Sequence, residues 1–207
     1  MKISFTLLCA FMLSLGATSA HMFTNPTVTE YYVNINYPSA APANITYIAR
    51  PDDVWFGEVN QIFQRDTDAV VRDIVTGRTF EIRRTFGTNH ADVEPLTAHD
   101  ADTMYSIWGG WSWARRAVLV YVDGYVFPAS LTNFPHAGRD DAPALTTVNN
   151  RSGGYGRGLN FDAVKGNGID GHMCLHFAGS LIHGSNRSNA AHQQRVAEAA
   201  EYLRNNY

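Results

Sequence analysis

The stretch Ala117-Val-Leu-Val-Tyr-Val-Asp-Gly-Tyr-Val-Phe-Pro-Ala-Ser130 decides the fold class. Two runs rich in β-branched and aromatic residues, Ala117–Val122 and Tyr125–Ser130, flank Asp123-Gly124. Asp-Gly suits a two-residue type I′ turn, in which both central residues take positive φ, so the pattern predicts a β-hairpin. A second pair of runs, Ala69–Val75 and Thr79–Arg84 around Thr76-Gly77-Arg78, predicts another, and two hairpins imply an antiparallel sheet. Between them, Thr97 with Asp100 three residues later resembles an N-cap. Met104, Ile107 and Trp108 then supply an apolar stripe, which predicts a short helix near 98–108. Asn189 should cap a last helix from Ala190 to about Asn205, with His192, Val196, Ala199, Ala200 and Leu203 on one face. The expected class is α+β: an antiparallel, mainly β core with two hairpins, a short middle helix and a C-terminal helix.

Composition narrows the function classes. The 207 residues are 45% apolar, 17% charged and 12% aromatic, enough to bury a core, and the formal net charge of -3 argues against nucleic acid as a partner. Residues 1–20 run from Lys2 through an apolar stretch, Ile3 to Leu15, to small residues ending at Ala20. That order is a secretory signal peptide, too short to span a membrane, and it implies a secreted chain with no integral membrane segment after its removal. Residues 21–65 read as an extended N-terminal arm with edge strands, and 66–207 as one α+β catalytic-like domain. The sequons at Asn44, Asn150 and Asn186 would be glycosylated in a eukaryotic secretory pathway. His21 would open the mature chain and raises a copper reading, weakened by the lack of cysteines for disulfides.

Cleavage would remove Cys9 and leave Cys174 as the only cysteine. It lies in Gly171-His-Met-Cys-Leu-His-Phe177. Read as a strand, Met173, Leu175 and Phe177 share one face, while His172, Cys174 and His176 share the other. Same-face neighbours stand about 7 Å apart at Cα, so an imidazole can reach the thiol and favour its thiolate. His172 and His176, about 13 Å apart on a regular strand, could not easily share one ion. A metal site drawn from separate loops has His90, Asp92 and Glu94 as candidates, with His136, His183 and His192, and zinc as the alternative cofactor to none. Trp108, Trp111 and Trp113, followed by Arg115 and Arg116, could stack on sugar rings and hold anions. The glycine-rich stretch 149–171 is too long for an ordinary connection and reads as a lid or a loop around a site.

His136-Ala137-Gly138 followed by Gly171-His172-Met173-Cys174 resembles the L,D-transpeptidase catalytic domain, with its His-Gly segment and Ser-His-Gly-Cys motif. Gly171, Met173 and His176 stand where that pattern has Ser, Gly and Arg. Asn89-His-Ala-Asp-Val-Glu-Pro-Leu-Thr97, Trp108-Gly-Gly-Trp-Ser-Trp113, Asn150-Arg-Ser-Gly-Gly-Tyr-Gly156 and His183-Gly-Ser-Asn-Arg187 resemble a wider family of exported, cell-wall-associated bacterial domains of uncharacterised activity. The resemblance implies an enzyme acting on cell-wall peptides. Cys174 would be the nucleophile, with His172, His136 and His176 as further catalytic candidates, and Trp111, Trp113, Arg115 and the Gly171 amide would meet substrate and oxyanion. A zinc hydrolase on His90, Asp92 and His183, and a non-catalytic cell-wall or glycan-binding module, are the alternatives.

Overall fold

The computed structural model describes residues 45–50 and 53–207. The expected signal peptide (1–20), the expected arm up to residue 44, His21 and the Asn44 sequon lie outside the described residues. The elements are β1 (Tyr47–Ile48), a helical turn Trp55–Val59 running into α1 (Asn60–Ile62), β2 (Asp68–Asp73), β3 (Thr79–Phe86) and β4 (Ala91–Pro95), then α2 (Ala98–Trp108). After these come β5 (Arg116–Val122), β6 (Tyr125–Leu131), β7 (Thr147–Arg151), β8 (Gly156–Leu159), β9 (Met173–His176) and α3 (Ala190–Asn206). The architecture is α+β and mainly antiparallel β. No helix among the described residues is long and apolar enough to cross a membrane.

Both expected hairpins form. β2 pairs with β3, and β5 with β6 from Arg116↔Leu131 to Val122↔Tyr125. At the β5–β6 turn Asp123 and Gly124 both have positive φ, 48° and 80°, as a type I′ turn demands. The sheet runs β6–β5–β2–β3–β4–β9 and returns to β6, which makes it barrel-like. Closure uses the far edge of β6, where β1 pairs in parallel at Tyr125–Val126 and β9 pairs antiparallel at Ser130–Leu131. Pro128 sits between those two pairings, where its missing N–H leaves no ladder bond broken.

β5 is apolar almost throughout because both its faces are covered. Val118, Val120 and Val122 point into the barrel with Val71, Phe80, Ile82 and Leu131. Ala117, Leu119 and Tyr121 meet Ala199 and Leu203 of α3 on the outside. Each aliphatic side chain buried this fully contributes about 1.5–3 kcal/mol. The core also takes Trp55, Val59 and Phe63, so it reaches into the stretch that the sequence reading places in the arm.

The two main helices begin where their caps sit. Thr97 and Asp100 form a reciprocal capping box on α2, and Gly109 ends it in the left-handed conformation. Asn189 accepts from the amides of Ala191 and His192 at the start of α3. Asp100 is therefore buried, whereas His99 beside it faces solvent.

Candidate metal centre

The site lies on the outer face of the β4–β9 wall. Period-two alternation sends Ala91 and Val93 of β4, and Met173 and Leu175 of β9, into the barrel core. His90, Asp92, His172, Cys174 and His176 are left on the opposite face. Asp92 and Cys174 are direct cross-strand partners. Two glycines fix the approach. A Cβ on Gly87 would lie 2.1 Å from the His90 carbonyl oxygen, and one on Gly171 would lie 2.1 Å from that of His136. Gly171 thereby allows His136 and His172 to exchange backbone hydrogen bonds of 3.0 and 3.1 Å.

Of the seven histidines among the described residues, all but His99 gather here. The rings of His192, His176, His90 and His183 follow one another at centroid separations of 3.7, 4.1 and 4.1 Å. His136 and His172 stand 4.3 Å apart. The sequence reading names these histidines as candidates for a site drawn from separate loops; their stacking order follows only from the fold, because they come from the start of β4, the loop after β6, β9 and the residue before it, the loop after β9, and α3.

Three of these imidazoles share a pattern. Nδ1 of His90 donates to the Leu181 carbonyl at 2.8 Å, Nδ1 of His172 to Phe161 at 3.1 Å, and Nδ1 of His136 to Phe134 at 3.0 Å. A carbonyl only accepts, so Nδ1 carries the proton and Nε2 presents a lone pair. His90 Nε2 stands 3.3 Å from Asp92 Oδ1, and His172 Nε2 stands 3.7 Å from Asp92 Oδ2. His183 Nε2 meets Asp92 Oδ1 at 3.0 Å. His136 Nε2 faces Cys174 Sγ at 3.7 Å.

Electrostatics follow from burial. His90 and His136 are pushed down to about 4 by desolvation, partly opposed at His90 by Asp92 and reinforced at His136 by His172. His172 and His176 are lowered for the same first reason, and His192 falls to about 3. These imidazoles are neutral at pH 7. Burial alone would raise the Asp92 carboxyl, but the hydrogen bond from His183 and the neighbouring imidazoles outweigh it and hold it low. Asp92 in turn lifts His183. Burial and then the Asp92 charge push the Cys174 thiol up.

His90, Asp92 and His183 offer three ligand atoms within 4.8 Å of one another, a group that could hold a metal ion. His90 Nε2 is buried and has no hydrogen-bond partner among the described residues. A lone pair 3.3 Å from a buried carboxylate oxygen is repulsive unless something positive lies between. Ligating histidines characteristically anchor their other ring nitrogen on a carbonyl or carboxylate, as His90 does.

The remaining candidates divide. Trp113 is 44% exposed and packs on Phe134 and against His136, each at 4.9 Å. Arg115 is near enough to Cys174, His176 and His192 to affect all three electrostatically. Trp111 instead packs against the core and Tyr105. Gly171 is buried and its amide donates to Asp162 at 2.6 Å, so that amide is not turned toward an oxyanion. Glu94 is fully buried and accepts from the amides of Ala163 and Val164, which fastens the glycine-rich loop rather than joining the metal group.

In front of the site opens a cleft of about 450 Å³, floored by Asp92, His136, His172 and His183. Its walls include Arg65, Phe86, Leu145, Arg151, Tyr155 and Phe161; the sequence reading gives none of them a role, although Arg151, Tyr155 and Phe161 fall in the glycine-rich stretch it expects beside a site. Stretch 149–171 does form an ordered wall of the site, through the β7–β8 hairpin and the segment after it. Phe86 is turned there by a bulge between Arg84 and Phe86 in the β3–β4 ladder. No family model, curated protein or solved structure matches the chain.

Proposed function

We propose that the protein is an exported metal-dependent hydrolase of cell-wall peptides, with zinc held by His90, Asp92 and His183. The observation that carries this reading is the buried, unpartnered Nε2 of His90 aimed at the buried Asp92 carboxylate. A neutral His90 imidazole and an ionised Asp92 carboxylate are protonation states that a divalent cation needs, and a cation would displace the proton that Asp92 favours on His183. Ligand atoms around tetrahedral zinc stand about 3.4 Å apart, and the two Asp92 contacts, 3.3 and 3.0 Å, are close to that edge. A bound zinc ion would supply a Lewis acid and ease deprotonation of a water molecule.

The chain's own residues would do the rest. His172, with its Nε2 beside the second Asp92 oxygen and its ring on the cleft floor, takes a proton as water oxygen adds to the substrate carbonyl. The C–N bond then breaks and His172 returns the proton to the departing amine. The leader-like residues 1–20 and the cell-wall resemblance support the setting.

A second reading keeps Cys174 as an acyl-accepting nucleophile with His136 as base. It is favoured by the 3.7 Å contact and by the anchored Nδ1 of His136, which leaves Nε2 free to take the thiol proton. Burial beside Asp92 weighs against it, because both disfavour the thiolate. Hydrolysis of peptidoglycan stem peptides should vanish on chelation, return with zinc and survive Cys174→Ala. Activity that resists chelation but is lost in Cys174→Ala, with a trapped acyl-enzyme in the wild type, would replace the metal reading by the thiol one.

A further inference from the structure

The charge around the cleft selects a substrate. Asp92 is the one carboxylate that lines it. Two guanidinium groups, Arg65 and Arg151, line the same space. Arg151 is held in place by the carbonyl oxygens of Tyr155 and Leu159 at 2.9 and 3.0 Å, so its charge is fixed in position but not neutralised. Arg65 is exposed and has no hydrogen-bond partner among the described residues. Behind it the buried Arg84 guanidinium donates only to carbonyl oxygens, Gly87 at 3.0 Å among them, and Arg65 and Arg84 repel each other. Two arginines thus line a cleft whose single acid is the proposed metal ligand, with the buried Arg84 behind them.

The walls carry the opposite character. Phe86 and Phe161 meet edge to face at 5.3 Å, and Leu145 and Tyr155 are 56% and 47% exposed. Apolar walls with a few fixed charges are the usual composition of a site for a small amphiphilic ligand, and about 450 Å³ is within the range such sites occupy.

We infer that the cleft takes the C-terminal end of a peptide, its free α-carboxylate on Arg65 and Arg151 and its last side chain against Phe86, Phe161 and Leu145. The protein would then remove C-terminal residues rather than cleave within a chain. This inference rests on the metal reading, since a metal-neutralised Asp92 leaves the arginines unopposed. Arginine suits the role because its planar fork matches a carboxylate with two parallel N–H donors.

The test pairs two probes, hippuryl-L-phenylalanine and diacetyl-L-lysyl-D-alanyl-D-alanine, each as free acid and as C-terminal amide. Binding to the zinc-loaded protein is read by calorimetry and hydrolysis by chromatography. At least one free acid should bind roughly tenfold or more tightly than its own amide. Arg65→Gln should erase most of that difference and Arg65→Lys should restore part of it, the acid's affinity falling far more than the amide's in Arg65→Gln. Equal binding of acid and amide, binding of neither pair, or a preference that survives Arg65→Gln largely intact would overturn the inference. Zinc uptake with hydrolysis of the amides as fast as the acids would overturn it while leaving the metal hydrolase standing. Absence of zinc uptake would remove the metal reading itself.

Discussion

Asp92 sets the chemistry of its neighbours. It lies opposite Cys174 on the adjacent strand and touches His90, His172 and His183, with 5% of its surface exposed. A carboxylate so buried needs compensation, and the His183 hydrogen bond supplies only part of it. The same charge, after burial, makes the Cys174 thiol hard to ionise. In protein stripped of metal, iodoacetamide at pH 8 should therefore modify Cys174 at least roughly tenfold more slowly in the folded chain than in the unfolded chain, measured by intact mass. Fast labelling of the folded protein would favour the thiol reading. The histidine–cysteine strand was legible in the sequence because period two is a local property. Arg65 was not, since only the tertiary path brings it to the cleft; for Tyr155 and Phe161 the glycine-rich stretch marked the region but not the partners.

At the scale of elements, the β2–β5 pairing depends on Asp73, which is fully buried at the end of β2. Arg116 of β5 donates to it twice, at 2.7 and 2.9 Å, and the Thr76 amide and hydroxyl each donate at 2.8 Å. Burial alone would raise its pKa, but those hydrogen bonds outweigh it and hold the carboxyl below the usual range. A depressed native pKa means that the stabilisation is complete above the unfolded value, about 3.9, and is lost as pH falls through the lower native value. Asp73→Asn should cost about 3 kcal/mol near neutral pH. Urea unfolding followed from pH 6 down to 2 should show a steeper acid loss in the wild type than in the variant, and parallel curves would contradict the assignment. The hairpins and both long helices were readable because their signals are local: Asp123-Gly124, the Thr97–Asp100 box and the Asn189 cap. Closure of the sheet between β6 and β9 was hidden, because Ser130↔His176 pairs residues far apart in sequence with no turn between them to announce it.

At the scale of the whole molecule, the barrel-like sheet turns its apolar side inward and presents the outer face of β4 and β9, around which six imidazoles from five segments gather with a carboxylate and a thiol. Neutral imidazoles in such number are costly to bury unless their nitrogens are satisfied; His90 Nε2 and His176 Nδ1 have no partner among the described residues, and on the proposed reading the first is where a ligand completes the set. Binding that completes the site stabilises the fold by mass action, about 2.7 kcal/mol when free metal is 100 times its dissociation constant. The most direct measurement is equilibrium dialysis of the purified protein and of Asp92→Asn against zinc, followed by elemental analysis and thermal unfolding. The account predicts stoichiometric zinc and a raised Tm in the wild type, with both lost in the variant. A wild-type protein that retains no metal, or a variant that binds it equally well, would contradict it.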